Sequence, residues 1–277
     1  MLYRKFSPAK ALSPFVECYY IWESGERLEK ELVVESPPSG FCSMVFNGGD
    51  PYYLKNKKYN KLAVPGQFIA GQSIYQYTLF LQGNISIAGI VFKPAALATL
   101  YKLPVYEYTE ERIPLSTVFG QPRIDAMTRL LPKADIPGKV QLLENFVLEG
   151  FDRQFPVPDS IDHAANTIVE KNGMLHIDEL LTGIYMSRRN FERRFFKKVG
   201  LSPKYYARIR RIGFLLNLIA GKKEVDWPRV FYECAFYDQS HFIKDFQEFT
   251  GRTPQQYLEE NRELANLIAK PKEEKLP

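Results

Sequence analysis

Ten bases crowd the twenty-five positions from Ser187 to Arg211: Arg188, Arg189, Arg193, Arg194, Lys197, Lys198, Lys204, Arg208, Arg210 and Arg211, with Glu192 the one acid among them. Like charges three or four residues apart destabilise a helix, so the block calls for a partner. A polyanion suits it, because neutralising phosphates releases their counterions. Spacing selects the side chains that could read such a partner. With Phe191 and Phe195 turned inward, Arg189, Glu192, Arg193 and Phe196 point outward, with Arg188 and Lys197 beside them. Arginine can bond guanine O6 and N7, and glutamate can accept from cytosine N4. Glu192 could equally hold Arg188 or Arg193. A second set, Gln239, Ser240, His241, Lys244 and Gln247, lies off the Phe242/Phe246 stripe. His241 suits a phosphate or water contact near a helix N-terminus better than base readout.

The elements that must position these residues follow one grammar, used twice. In the first copy a short helix and a turn lead to Ser187 as N-cap, a favoured residue there. Phe191, Phe195 and Val199 form an apolar stripe, Gly200 stops the helix, and Ser202-Pro203 starts the next. In the second copy a helix ends near Cys234, Ser240 is the expected N-cap, Phe242, Phe246 and Phe249 form the stripe, Gly251 stops it and Thr253-Pro254 starts another. Helix, tight turn and a second helix with a buried face make a helix-turn-helix. The connecting helix, Pro203 to Ala220, is about 27 Å long at 1.5 Å per residue, with Leu215, Leu216, Leu218 and Ile219 in its core. From Glu224 to Glu263 nine acids face four bases, so the first unit is expected to anchor and the second to bind more weakly, unless those acids face away.

The doubled unit, with Asp238-Gln239-Ser240-His241-Phe242 and Phe249-Thr250-Gly251-Arg252-Thr253-Pro254, resembles the DNA-binding domain of the AraC/XylS family of bacterial transcription regulators over residues 159–265. The resemblance implies sequence-specific duplex binding, with recognition helices Ser187–Lys198 and Ser240–Thr250 in two successive major grooves. It implies RNA polymerase as a second partner. It assigns DNA contact to Arg188, Arg189, Glu192, Arg193, Phe196, Lys197, Gln239, Ser240, His241 and Lys244. The family places glycine in each helix-turn-helix turn, where this chain has Tyr185 and Ala235; a left-handed backbone there would cost about 1 kcal/mol each. Phe231 also stands where a small residue is usual.

Length and composition set the frame. The 277 residues suffice for two domains, 45% of them are hydrophobic, and the net charge is +5. Cys18, Cys42 and Cys234 are scattered, with neither a disulfide framework nor a zinc spacing. No signal peptide is read at the N-terminus, and no apolar run is long enough to span a bilayer. A cytoplasmic protein without a membrane partner is expected.

Upstream, strands are predicted at Leu32–Glu35, Phe41–Phe46, Gln67–Ala70, Tyr77–Leu81 and Ile85–Phe92, separated by proline and glycine breakers. A helix starts at Lys93-Pro94, and others fit Ile124–Leu131 and Gly138–Gly150. Val91 to Ala96 followed by Ile113-Pro114-Leu115 resembles the cupin-like β-barrel of one branch of the same family, over residues 1–150. His163, His176 and His241 all lie downstream, so the barrel cannot build the usual cupin metal site. No cofactor, metal or catalytic residue is predicted, and no enzyme. The aromatics Tyr19, Tyr20, Trp22, Phe41, Phe46, Tyr75, Tyr77, Phe80 and Phe92 could line a pocket for an unknown small-molecule effector, or simply pack. The helix Lys139–Phe151, with Val140, Leu143 and Val147 on one face, is the candidate homodimer contact; packing on its own barrel is the alternative.

The expected fold class is therefore α+β with two domains. A sensor β-barrel with trailing helices spans 1–153, a linker 154–158, the tandem helix-turn-helix 159–265, and a disordered tail 266–277. Two rival readings remain: a barrel enzyme tethered to DNA, such as a repair alkyl transferase using Cys18 or Cys42, and a module whose basic helix binds RNA or protein.

Overall fold

The computed structural model of the chain describes residues 1–150, 156–222, 224–260 and 272–274. The N-terminal half contains β1 (Leu2–Phe6), β2 (Val16–Glu23), β3 (Leu28–Ser36), β4 (Cys42–Asn47), β5 (Tyr53–Lys55), β6 (Leu62–Ala63), β7 (Gln67–Ala70), β8 (Tyr77–Gly83) and β9 (Ser86–Phe92). After them come α1 (Ala96–Tyr101), β10 (Arg112–Pro114), α2 (Ser116–Phe119), α3 (Gln121–Leu130) and α4 (Ile136–Leu148). The C-terminal half is helical: α5 (Ser160–Glu170), α6 (Arg188–Val199), α7 (Pro203–Ile219), α8 (Trp227–Glu233), α9 (Gln239–Thr250) and α10 (Pro254–Glu260). The last described strand, β11 (Lys272–Glu274), runs parallel to β1, so part of the tail expected to be disordered lies on a sheet edge. Among the described residues no helix is long and apolar enough to cross a membrane.

The strands form two sheets, ordered β10-β7-β4-β9-β2-β1-β11 and β3-β8-β5-β6. The expected barrel is thus an open pair of sheets. The second sheet ends on strands of three and two residues, too short to carry a hydrogen-bond ladder around to the first. Side chains alternate across β4 and β9. Met44, Phe46, Ala88, Ile90 and Phe92 turn to the helices, and Val45 and Ile87 turn to the small sheet.

On the helical side Val140, Leu143, Phe146 and Val147 of α4 are buried against the large sheet, and Lys139 pairs with Glu23 of β2. Each such side chain contributes about 1.5–3 kcal/mol by leaving water. The face read as a dimer contact is therefore spent on this chain's own core; Phe151 lies outside the described residues. Pro156 to Pro158 run without regular structure, with Val157 exposed, before Asp159 caps α5. The predicted linker residues 154 and 155 lie outside the described residues.

Candidate nucleic-acid interface

Ser187 caps α6, accepting the Asn190 N–H at 3.4 Å. Phe191, Phe195 and Val199 are buried. Gly200, at φ +86°, ends the helix and donates its N–H to the Phe196 carbonyl at 2.8 Å. The frame of α9 is the same with one correction. Its N-cap is Asp238, whose Oδ1 accepts the His241 N–H at 2.7 Å; Ser240 sits in the first turn. A carboxylate beats a hydroxyl here because the helix dipole also favours negative charge at this end. Phe242, Phe246 and Phe249 are buried and Gly251 ends the helix at φ +74°. Phe231 packs against this stripe, its ring tilted at 49° and its centroid 4.5 Å from that of Phe242.

The two turns differ. Ala235 is left-handed at φ +50°, as its position suggested, but in the first turn Gly183 takes that conformation at φ +82°. Tyr185 is not among the positive-φ residues; the residue is fully exposed.

Arg189, Glu192, Arg193, Phe196 and Lys197 are exposed, as their spacing predicted. Glu192 is held by Arg188 at 3.1 Å, and Arg188 also pairs with Asp178 at 2.9 Å. The basic block is not one surface. Arg194 pairs with Asp159 at 3.2 Å. Lys198 pairs with Asp162 at 2.7 Å and donates to Thr99 Oγ1 at 3.0 Å. Arg208 pairs with Asp245 at 2.7 Å. Arg210 donates to the Ser39 carbonyl and lies over the Phe41 ring. Arg211 donates to the Gly173 carbonyl at 3.1 Å. The exposed bases of the block with no acidic partner among the described residues are Arg189, Arg193, Lys197 and Lys204.

The second unit carries a matching correction. Asp245 is 1% exposed, and Glu248 turns to Arg208 and accepts the Tyr205 hydroxyl at 2.9 Å. The acids of α9 thus face α7, leaving Gln239, Ser240, Lys244 and Gln247 outside. His241 is half-buried, edge-on to Phe236, with Nε2 3.7 Å from Asp245 Oδ1. Tyr232 and Tyr237 stand exposed beside this unit, at 87% and 96%. Tyr185 was read from the sequence only as a turn residue, and Tyr232 and Tyr237 were not singled out; the available signal was an aromatic off the buried stripe.

The far end of α6 meets the N-terminal half. Phe196 lies 5.9 Å, ring to ring, from Tyr106. Asp162 is buried, and Asp159 accepts the backbone N–H groups of Ile161 and Asp162 and faces Lys198 at 2.9 Å. Burial raises the Asp159 carboxyl, but the bonds from Lys198 and Asp162 outweigh it and hold it down at about 2.

A cavity of about 620 Å³ opens between the two sheets. Tyr20, Trp22, Phe41 and Tyr77 line it as the sequence allowed, joined by Tyr3, Tyr52 and Phe68. Tyr19, Phe46 and Phe92 belong instead to the core under the helices. Lys5, Arg112 and Arg210 bring positive charge against Glu17, and α7 closes one side with Arg210, Gly213, Phe214 and Asn217. Burial raises the Tyr3, Tyr20 and Tyr52 phenols, so they are neutral hydrogen-bond donors at physiological pH.

Residues 180–260 match a helix-turn-helix domain family, and residues 4–114 match a domain of unknown function (DUF6597). No curated protein matches. Among solved structures, the chain is similar to ToxT from Vibrio cholerae O395 at 12% identity, covering 87% of this chain and 96% of that one, with a TM-score of 0.45. It is also similar to unsaturated-fatty-acid-bound ToxT from Vibrio cholerae strain SCE256 at 11% identity, covering 87% and 94%, with a TM-score of 0.44.

Proposed function

We propose, from the premise that the chain belongs among the AraC/XylS-type DNA-binding regulators by its C-terminal helix-turn-helix domain, that α6 and α9 enter two successive major grooves of one duplex. The observation that carries this is the pair of outer faces. Each helix buries a phenylalanine stripe, turns its acids to intramolecular partners, and leaves neutral or basic readers exposed. In the first unit Arg189 and Arg193 are the base readers, with Lys197 on phosphate. In the second unit Gln239, Ser240 and Lys244 do this work. The connecting α7 has 17 residues, about 25 Å at 1.5 Å per residue, against roughly 34 Å between major-groove centres. RNA polymerase is the second macromolecular partner in this reading, and the cytoplasm its place of action.

In-vitro selection of duplex DNA with the full chain, repeated across a salt series, tests it. The expected result is a site with two half-elements about one helical turn apart. Arg193→Ala should then cost about 1–3 kcal/mol and relax specificity in one element, and Lys244→Ala should do so in the other. Binding that is steeply salt-dependent but selects no sequence would overturn the readout.

The cavity is the proposed effector site. Its rings and its excess of cations suit a molecule with an aromatic or apolar body and one anionic group. Trp22 lines it, and the only other tryptophan is Trp227. In a Trp227→Phe background, aromatic carboxylates should change Trp22 fluorescence and raise the melting temperature; a panel that moves neither would remove the effector. Catalysis finds no support in the thiols of Cys42 and Cys234. Burial pushes Cys42 up to about 12 and Cys234 up to about 11, leaving both protonated and poorly nucleophilic.

A further inference from the structure

The stretch Gly71–Gln76 crosses from β7 to β8 over the C-terminal ends of both α6 and α9. Gln72 is fully buried, and its Nε2 donates at 2.6 Å to the carbonyl of Val199, the last residue of α6. Four residues on, the Gln76 N–H donates at 2.9 Å to the carbonyl of Phe249, one residue before the end of α9. The last four carbonyls of a helix have no partner inside it. One short stretch of the N-terminal half therefore supplies a missing donor at the same end of each helix. Ile74, between the two contacts, packs into the C-terminal core. Arg252, just past α9, grips both oxygens of Glu35 at 2.7 and 2.8 Å, and Glu35 also accepts from Gln76 Nε2 at 2.6 Å.

This stretch is held stiffly. Glu110 is buried; its Oε1 accepts the N–H groups of Ile74 and Tyr75, and its Oε2 accepts from Asn56 at 2.7 Å. The Glu110 N–H donates back to the Gln72 carbonyl at 3.0 Å, and the Gly71 N–H donates to Glu111 at 3.1 Å. A Cβ on Gly71 would fall 1.5 Å from the Tyr108 carbonyl oxygen, so only glycine permits the approach.

We propose that Gly71–Gln76 is a brace that sets the distance and angle between α6 and α9, so that the N-terminal half decides which spacing of half-elements the protein accepts. This rests on the reading that both helices enter DNA. Without the brace the second unit is held on α7 by the core the two share and by Arg208 with Asp245 and Glu248, and residues 220–222 and 224–226 carry no regular structure between them. A second tether at the far ends of both helices removes that freedom. Gln72 and Glu110 are positioning residues in this account; neither is among the outward-facing readers.

The test uses the full chain as wild type, Gln72→Ala, Glu110→Gln and Glu35→Gln. Duplexes carry the two selected half-elements at the preferred spacing, one base pair closer, one base pair further apart, or with one element alone. Wild type should lose about tenfold or more when the spacing changes, because the second contact no longer adds to the first. Each variant should narrow that loss to about threefold, with unchanged affinity for the single element, which shows that α6 still folds. Glu35→Gln acts from outside the stretch and keeps the test decisive should Gln72→Ala not fold. A wild-type spacing profile in every folded variant would overturn the brace. So would tighter binding to all duplexes including the single element, which would make the stretch a clamp against DNA. If wild type binds no duplex at all, the reading that the helices enter DNA fails first.

Discussion

Ala235 sits at φ +50° with its methyl group in solvent. An L-residue with a Cβ is strained there, and glycine is not, so Ala235→Gly should stabilise the fold by about 1 kcal/mol, visible as a higher melting temperature with DNA affinity unchanged. Tyr185 stands fully exposed beside the N-terminus of α6, and Tyr237 beside that of α9. A phenol so placed can donate to phosphate, which positions a protein without reading sequence. Tyr185→Phe and Tyr237→Phe should therefore each weaken specific and non-specific duplexes alike, by about 0.5–1.5 kcal/mol; a loss confined to the selected site would assign them to the bases. At this scale the sequence was half legible. The caps at Ser187 and Ser202, the two glycine stops and the outward set on α6 follow from local rules. The left-handed turn residue in the first unit did not follow, because Ile177–Leu181 forms a tight 3-10 turn and the reversal falls two residues early, on Gly183.

Two neighbouring lysines on α6 should behave oppositely. Lys197 is exposed, whereas Lys198 reaches back to Asp162, whose side chain is 4% exposed, and to Thr99 of α1. Lys198→Met strands a buried carboxylate and should cost about 3 kcal/mol in urea unfolding, while leaving the salt dependence of DNA binding alone. Lys197→Met should do the reverse, reducing the salt slope by about one with little change in stability. The same junction gives a pH signature. The Asp159 carboxyl is depressed from its ordinary 3.8 to about 2, so its contribution is complete above about pH 4 and is lost as the pH falls towards 2. Thermal melts should show an added loss in that window, absent in Asp159→Asn. These pairings were hidden in the sequence because the partners are remote: Lys198 meets Asp162 and Thr99, and Arg208 meets Asp245. A run of bases reads as one surface until the fold withdraws some of them.

Across the whole molecule, the helical half was legible because its grammar is local and stated twice. In the N-terminal half β3, β4, β7, β8 and β9 were legible from their breakers, but the order of strands in the sheets was not, because its pairings are remote. β2 lies against β9, and β7 against β10, while β5 and β6, of three and two residues, are too short to show an alternating pattern. Nor could the sequence show how closely the halves dock, with Arg252 on Glu35, Gln72 on α6 and α7 against the cavity. That last contact has a practical side. Phe214, Gly213 and Asn217 are wall, not neighbours, of the cavity. A compound screen run on residues 1–150 alone would offer every molecule a basin with one side missing, and good binders would wash out as negatives. Trp22 quenching by any true effector should be markedly weaker in that fragment than in the intact chain, so the library belongs on the full-length protein from the first plate.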